Sequence, residues 1–241
     1  MRFLPLVIVV AIVFSGNLAP GAEVTGVPRI IDGDTLEIDD MRIRLHGIDA
    51  PETGQQCQSS SGNDFPCGEA AAEALRRLVD DHSISCAGTE TDAYGPLIAV
   101  CRLAKTDMNA EMVRRGWALA FVRYSDDYAA IERSAAKERR GLWVGTFEPP
   151  WEFRRNRWES ASLRAPQPEC PIKGNISKNG RIYHTPYSRD YDRTRINTAR
   201  GERWFCSEAD ALAGVGARPA IRIALSAARF RAAYRPCAKS Q

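Results

Sequence analysis

Residues 31–52, IDGDTLEIDDMRIRLHGIDAPE, constrain this chain more than any other stretch. Met41, Ile43 and Leu45 alternate with Arg42, Arg44 and His46, the period of two that marks a half-buried β-strand. Asp39-Asp40 separates this run, 41–48, from a first strand at 35–38. A two-residue turn there closes a hairpin whose register pairs Thr35 with Arg44 and Glu37 with Arg42. Asp32, Asp34, Asp49 and Glu52 crowd the same small piece of sheet, like charges that repel one another unless something positive sits between them. Two explanations compete. One is a hairpin with a solvated face, its Glu37 and Arg42 forming a cross-strand pair and its aspartates making turns. The other is a socket for a metal ion and a phosphate. In strict register Asp34 and Arg44 face opposite sides, so a bulge, a longer turn or strong curvature is needed to aim both at one phosphate.

The next hundred residues alternate short strands with helices. Ala71, Leu75, Leu78 and Val79 recur at helical spacing over 69–81. A strand at 84–86, a turn around Tyr94-Gly95-Pro96 and the apolar strand at 97–103 form a second hairpin. Asp107 caps a helix over 108–115 that Gly116 stops, and Ser125 or Asp127 caps another over 128–140 that Gly141 stops. Strand pairs joined by tight turns indicate an α+β fold rather than a doubly wound sheet, and a small closed barrel would protect its edges. Residues 146–169, rich in Pro, Arg and Trp, read as a linker or packed extension. A small unit spans 170–220, with Ser207 and Asp210 capping a short helix and a strand at 181–185. The tail at 221–241 spaces apolar residues on one helical face with arginines opposite, suited to dock on the protein, an anionic membrane or nucleic acid.

Composition excludes a disordered chain: 241 residues, 44% hydrophobic and 26% charged, suffice for one core plus something smaller. A formal charge of +3 and a pI near 8.5 are compatible with a polyanionic partner without demanding one. At the N-terminus Arg2 precedes the apolar run FLPLVIVVAIVF and then small residues through Ala22, the pattern of a signal peptide over 1–22. The run is shorter than the about 20 apolar residues that span a bilayer, so the expectation is a periplasmic or secreted chain without stable membrane insertion. In an oxidising compartment the seven cysteines are disulfide partners. Cys57 pairs with Cys67 across QSSSGNDFP, Cys86 with Cys101, and Cys170 with Cys206. Cys237 is left over, free or bonded between chains that are otherwise monomers. A zinc site of His184, Cys170 and Cys206 is the alternative for the last pair.

The order DGDT at 32–35, Arg44, GIDAPE at 47–52, TDAYG at 91–95 and NAEMVRRGWA at 109–118 resembles the staphylococcal nuclease family. The resemblance implies a five-stranded OB-fold barrel with three helices, over a domain at 23–145. It further implies a calcium-dependent hydrolysis of DNA or RNA. Calcium takes six to eight oxygens, and by resemblance Asp34, Asp49 and the backbone carbonyl of Ala50 are its ligands, with Asp32 and Thr35 behind them. Arg44 is the guanidinium fork on the phosphate, and Glu52 the general base or positioner of the attacking water. Tyr94 and Tyr124 line the nucleotide.

The sequence also departs from the family. The position of a second catalytic arginine is Pro96, which donates no bond to the transition state. Loss of one such donor costs about 2–4 kcal/mol, a factor of a hundred or more in rate. Ala93 and Val122 stand where the family has a phosphate-contacting lysine and a tyrosine. Two functions follow from this pattern: an exported calcium-dependent nuclease, slowed at Pro96, or a catalytically silent OB-fold that binds nucleic acid or another ligand. Downstream, KGNIS, RIYHTP and RWFCSEA resemble the small sunset-type module, whose tyrosines and Trp204 either fill a tiny disulfide-pinned α+β core or stack on bases.

Overall fold

A computed structural model describes residues 22–91, 96–178 and 180–215 of the chain. Residues 1–21 of the expected signal segment, Tyr94, Cys237 and the tail at 221–241 lie outside the described residues. Among the described residues no helix is long and apolar enough to cross a membrane.

Alternating apolar side chains form the first strands: β1 (Ala22–Gly26), β2 (Arg29–Ile30), β3 (Thr35–Ile38) and β4 (Met41–Leu45). Asp39 and Asp40 both take positive φ, 48° and 65°, the two left-handed central residues of a type I′ turn that short polar side chains tolerate. The turn fixes the register Thr35↔Arg44, Leu36↔Ile43 and Glu37↔Arg42, as the two-residue spacing requires. The short β5 (Ile48–Asp49) then leads to a disulfide-closed hairpin of β6 (Cys57–Gln58) and β7 (Asp64–Phe65).

Helix α1 (Cys67–Val79) turns Ala71, Leu75 and Val79 inward. It starts two residues before the apolar periodicity does, because the Cys57–Cys67 bond anchors its first turn. Strand β8 (Ile84–Thr91) runs beyond the expected 84–86, β9 (Leu97–Leu103) follows, and β10 (Thr106–Asp107) turns back on it. The main sheet has the order β1-β8-β9-β4-β3-β2 with β10 on β9, seven strands where five were expected. The added strands are two-residue pairings at bends. All its pairs are antiparallel except β4 with β9. The sheet curls until Gly26 meets Ile38: a Cβ on Gly26 would lie 2.5 Å from Ile38 Cγ2, so only glycine fits.

Asp107 caps α2 (Met108–Arg114), accepting from the Ala110 amide at 2.9 Å. At its end the Gly116 amide reaches the Val113 carbonyl and the Trp117 amide the Met112 carbonyl, a Schellman motif with Gly116 in the left-handed position. Asn109 is fully buried. It accepts from the Cys101 amide and donates to the carbonyls of His46 and Ala99, pinning the bend after β4 to the centre of the sheet. A short β11 (Leu119–Ala120) pairs with β5.

Helix α3 (Ala129–Lys137) is shorter than the expected 128–140. No side chain caps it, and it ends early because Arg139 at φ 53° closes its own Schellman motif, with Arg140 N–H bonded to the Ala135 carbonyl. Leu36, Ile43, Leu45, Leu75, Leu97 and Met112 are fully buried between sheet and helices. Each such side chain contributes about 1.5–3 kcal/mol relative to exposure.

Within 146–169 the chain forms a thirteen-residue helix, α4 (Pro150–Ser162), with Pro at its first position. The last unit is a three-stranded sheet of β12 (Ile172–Ser177), β13 (Gly180–His184) and β14 (Arg203–Phe205), with α5 (Glu208–Val215) against it. Ser207 Oγ accepts from the Asp210 amide and donates to the Asp210 carboxylate, capping α5. Three disulfides form: Cys57–Cys67, Cys86–Cys101 and Cys170–Cys206. The last one removes both sulfurs from the zinc alternative, and His184 contacts Asn175 instead.

Candidate active site

Asp32 organises the entry to the hairpin. Its Oδ1 accepts from the amides of Asp34 at 3.0 Å and Thr35 at 2.6 Å, an Asx turn that bends the chain immediately before β3. Asp34 therefore sits in the turn and not in the strand, and its side chain escapes the alternation that would have set it opposite Arg44. Its two oxygens are fixed: Oδ1 accepts from the Thr35 hydroxyl at 3.0 Å and Oδ2 from the Ala50 amide at 2.7 Å. Asp34, Thr35, Asp49 and Ala50 are all buried.

Glu52 lies on the bend after β5. The Gln55 amide donates to the Glu52 carbonyl, and Gln55 Oε1 accepts from the Glu52 amide. The start of α1 packs so closely that a Cβ on Gly68 would lie 1.7 Å from the Glu52 carbonyl oxygen. Gln55, itself fully buried, also donates from Nε2 to the Glu148 carbonyl at 2.6 Å. One amide side chain thus links the Glu52 bend to the approach to α4.

From α4, Arg154 reaches into the carboxylates. Nη1 donates to Asp49 Oδ1 and to Glu52 Oε1, both at 2.8 Å, and Nη2 to Asp49 Oδ2 at 2.7 Å. This is a bidentate fork on Asp49 with a third bond to Glu52. Neighbouring residues on the same side of α4 hold the helix in place. Trp151 stacks on Phe121 with centroids 5.7 Å apart, Arg157 bonds the Pro186 carbonyl and Asp192, and Trp158 packs on the apolar core of the last unit.

Arg44 lies on β4, within the electrostatic reach of the same carboxylates. It is exposed and makes no direct hydrogen bond or ion pair among the described residues. Partial burial opposes its charge, but Asp34 first, then Asp32, Glu208 and Glu52 hold its pKa above the usual value. The last unit closes over this side. Tyr183 accepts from Arg42 at 2.9 Å and donates to Glu208 at 2.8 Å, and a Cβ on Gly54 would meet the Tyr187 carbonyl at 2.7 Å.

The electrostatics of this arrangement are unbalanced. Asp32, Asp34, Asp49 and Glu52 share one field with the guanidiniums of Arg44 and Arg154. Four carboxylates against two cations leave a formal excess of two negative charges. Burial pushes Glu52 up to about 8, with the Asp32 charge adding to it and Arg154 only partly offsetting it. Burial also raises Asp49 to about 6 despite its bonds to Arg154, and raises Asp32 to about 7 with the help of Asp34. Buried oxygens with unmet negative charge suit a hard divalent cation. No three His, Cys, Asp or Glu side chains among the described residues form a metal-holding group by themselves. The donors that fit are two aspartates with backbone and water oxygens.

Tyr124 is 71% exposed, its ring 5.1 Å from Phe121, so Tyr124, Phe121 and Trp151 make an aromatic row leading to α4. Pro96 is half-buried just before β9. Sequence reasoning brought together Asp32, Asp34, Thr35, Arg44, Asp49, Ala50 and Glu52 and missed Gln55, Trp151 and Arg154. The signal for α4 was Pro149-Pro150 followed by fifteen residues without Gly or Pro.

Comparison with known proteins follows the same region. A family model described as staphylococcal nuclease homologue matches residues 42–145. The chain is 31% identical to "Micrococcal nuclease" of Shigella flexneri over 147 residues, 54% of this chain and 79% of that protein. It is 30% identical to "Uncharacterized endonuclease" of Escherichia coli O157:H7 over 165 residues, 65% of this chain and 99% of the relative. It is also 29% identical to "Succinoglycan biosynthesis protein ExoI" of Rhizobium meliloti, over 56% of this chain and 73% of that protein.

Proposed function

We propose that this chain, which belongs to the staphylococcal nuclease family, hydrolyses phosphodiester bonds of DNA or RNA with a divalent cation. The observation that carries the reading is the excess of carboxylate that shares one field with two guanidiniums. That arrangement would favour a divalent cation, and the two guanidiniums would favour the anionic phosphate. The cation, calcium in our reading, would be held by Asp34, Asp49 and the Ala50 carbonyl and would neutralise charge at the phosphate.

The protein's own groups do the rest. Asp32 and the Thr35 hydroxyl fix Asp34, so its oxygens cost no reorganisation. Arg44, with its donors uncommitted, receives the equatorial phosphate oxygens as charge grows on them. Glu52 accepts a proton from the attacking water, and burial, which raises its pKa, makes it a stronger base than a free carboxylate. Gln55 and the close Gly68 contact hold Glu52 in place. Exposed Tyr124 stacks on a base.

We read residues 1–22 as a signal peptide and the chain as exported to the periplasm or beyond. Three disulfides support that compartment. The C-terminal unit, in our reading a sunset-type module, closes one side of the site. Pro96 in place of a second arginine would make the enzyme slow. It also favours the second reading, a silent nucleic-acid binder, and one experiment decides between them. The purified chain is incubated with DNA and with RNA, in calcium or in chelator. Cation-dependent cleavage supports the nuclease; binding without cleavage under every condition supports the silent domain.

A further inference from the structure

We propose that Arg154 is a phosphate-binding catalytic arginine, delivered to the site by α4 from outside the barrel. The proposal rests on the nuclease reading above and deepens it. A guanidinium has five N–H donors in one plane. Three are spent on Asp49 and Glu52, which leaves two for a further acceptor.

The place where that acceptor must sit follows from Glu52. A carboxylate that positions the attacking water holds it within hydrogen-bond reach, and the water must stand in line with phosphorus. A guanidinium 2.8 Å from the same carboxylate is therefore beside the phosphate oxygens. The Asp49 and Glu52 side chains are 5% and 16% exposed, whereas Arg154 keeps 29%, so Arg154 is the member of the trio that solvent, and an anion arriving from it, reaches most readily.

Arg44 comes from β4 and Arg154 from α4, so two cations carried by separate elements share the field of the same carboxylates. The turn that enters β9 contributes Pro96 and no cation at that position. Helix α4 is anchored through Trp151, Arg157, Trp158 and the Gln55–Glu148 bond, which gives Arg154 the fixed base that a preorganised donor requires. Two other roles are conceivable for the same geometry: a plug that competes with the cation for Asp49, and a clamp that merely holds α4.

The test compares the purified chain with Arg154→Ala, Arg154→Lys and the double variant Arg154→Ala/Pro96→Arg on single-stranded DNA in calcium, with folding checked by circular dichroism. Arg154→Ala is expected to lower kcat about a hundredfold, with a smaller change in KM. Lysine, a point charge without the fork, recovers part of that loss. Pro96→Arg recovers about tenfold by supplying a guanidinium at the position where the family carries one. A clamp would not be rescued from there, so failure of both rescues overturns the proposal. Unchanged kcat in Arg154→Ala overturns it, and raised kcat identifies a plug.

A second readout does not depend on turnover. A phosphorothioate oligonucleotide is titrated by fluorescence anisotropy in calcium, and Arg154→Ala is expected to weaken its binding about tenfold. Equal affinity refutes Arg154 as a phosphate ligand. A wild-type chain that cleaves nothing refutes the nuclease reading, and the oligonucleotide titration then judges Arg154 separately.

Discussion

Replacing Glu52 by Gln in the absence of divalent cations should stabilise the protein at high pH and do little at low pH. Burial and the neighbouring Asp32 raise Glu52 from its ordinary 4.5 to about 8. The unfolded chain gives up this proton near 4.5 and the folded chain only near 8. Between those values the folded state binds more protons, so its stability falls as pH rises through the window. At about 1.4 kcal/mol per pH unit, Glu52 costs the fold about 4 kcal/mol near pH 8 and about 1 kcal/mol near pH 5. Glutamine carries no such charge.

The stability gained by Glu52→Gln should therefore be about 3 kcal/mol larger at the higher pH, or about 6–12 °C in Tm for a chain of this size. Thermal melts of both proteins in chelator at the two pH values measure it. Calcium should shrink the difference by supplying the missing positive charge. A variant no more stable than wild type near pH 8 in chelator would refute the reasoning, because the carboxylate excess would then not be a source of strain.

Two further outcomes are expected. Arg44→Ala should lower turnover by about a hundredfold to a thousandfold while the chain stays folded, since Arg44 makes no direct ion pair among the described residues; steady-state kinetics with circular dichroism check this. Cys170→Ser/Cys206→Ser opens a loop of sequence separation 36 and should cost the last unit about 4 kcal/mol, seen as an early transition in differential scanning calorimetry.

Much of the site could be read from local pattern because it is local. A two-residue turn and strict alternation fix which residues face each other in β3 and β4, so Thr35↔Arg44 followed from spacing alone. Gly116 and Asp107 mark the ends of α2 because their roles depend only on nearby backbone. The difficulty with Asp34 and Arg44 came from extending the strand rule one residue too far. The Asx turn of Asp32 takes Asp34 out of the pleat, and no periodicity reports it.

Arg154 was hidden for a different reason. It lies 105 residues from Asp49 and 102 from Glu52, and its helix has no apolar stripe. Trp151, Arg154 and Trp158 face three different partners, an aromatic ring, a carboxylate cluster and the core of the last unit. The packed side of α4 carries arginines among its aromatics and the other side shows Arg155, Asn156, Glu159 and Ser160 to solvent, so polar residues stand all round and the segment read as a linker. The early end of α3 is similar. An arginine at positive φ closes it, and arginine is not a residue whose presence announces a left-handed turn.

The unbalanced carboxylates are expected to take up one divalent ion when a phosphate is present. Isothermal titration of calcium into the protein, with a phosphorothioate oligonucleotide present, measures this directly. One ion per chain is expected for the wild type and none at the same concentrations for Asp34→Ala. No uptake by the wild type, or uptake untouched by the loss of Asp34, would contradict it.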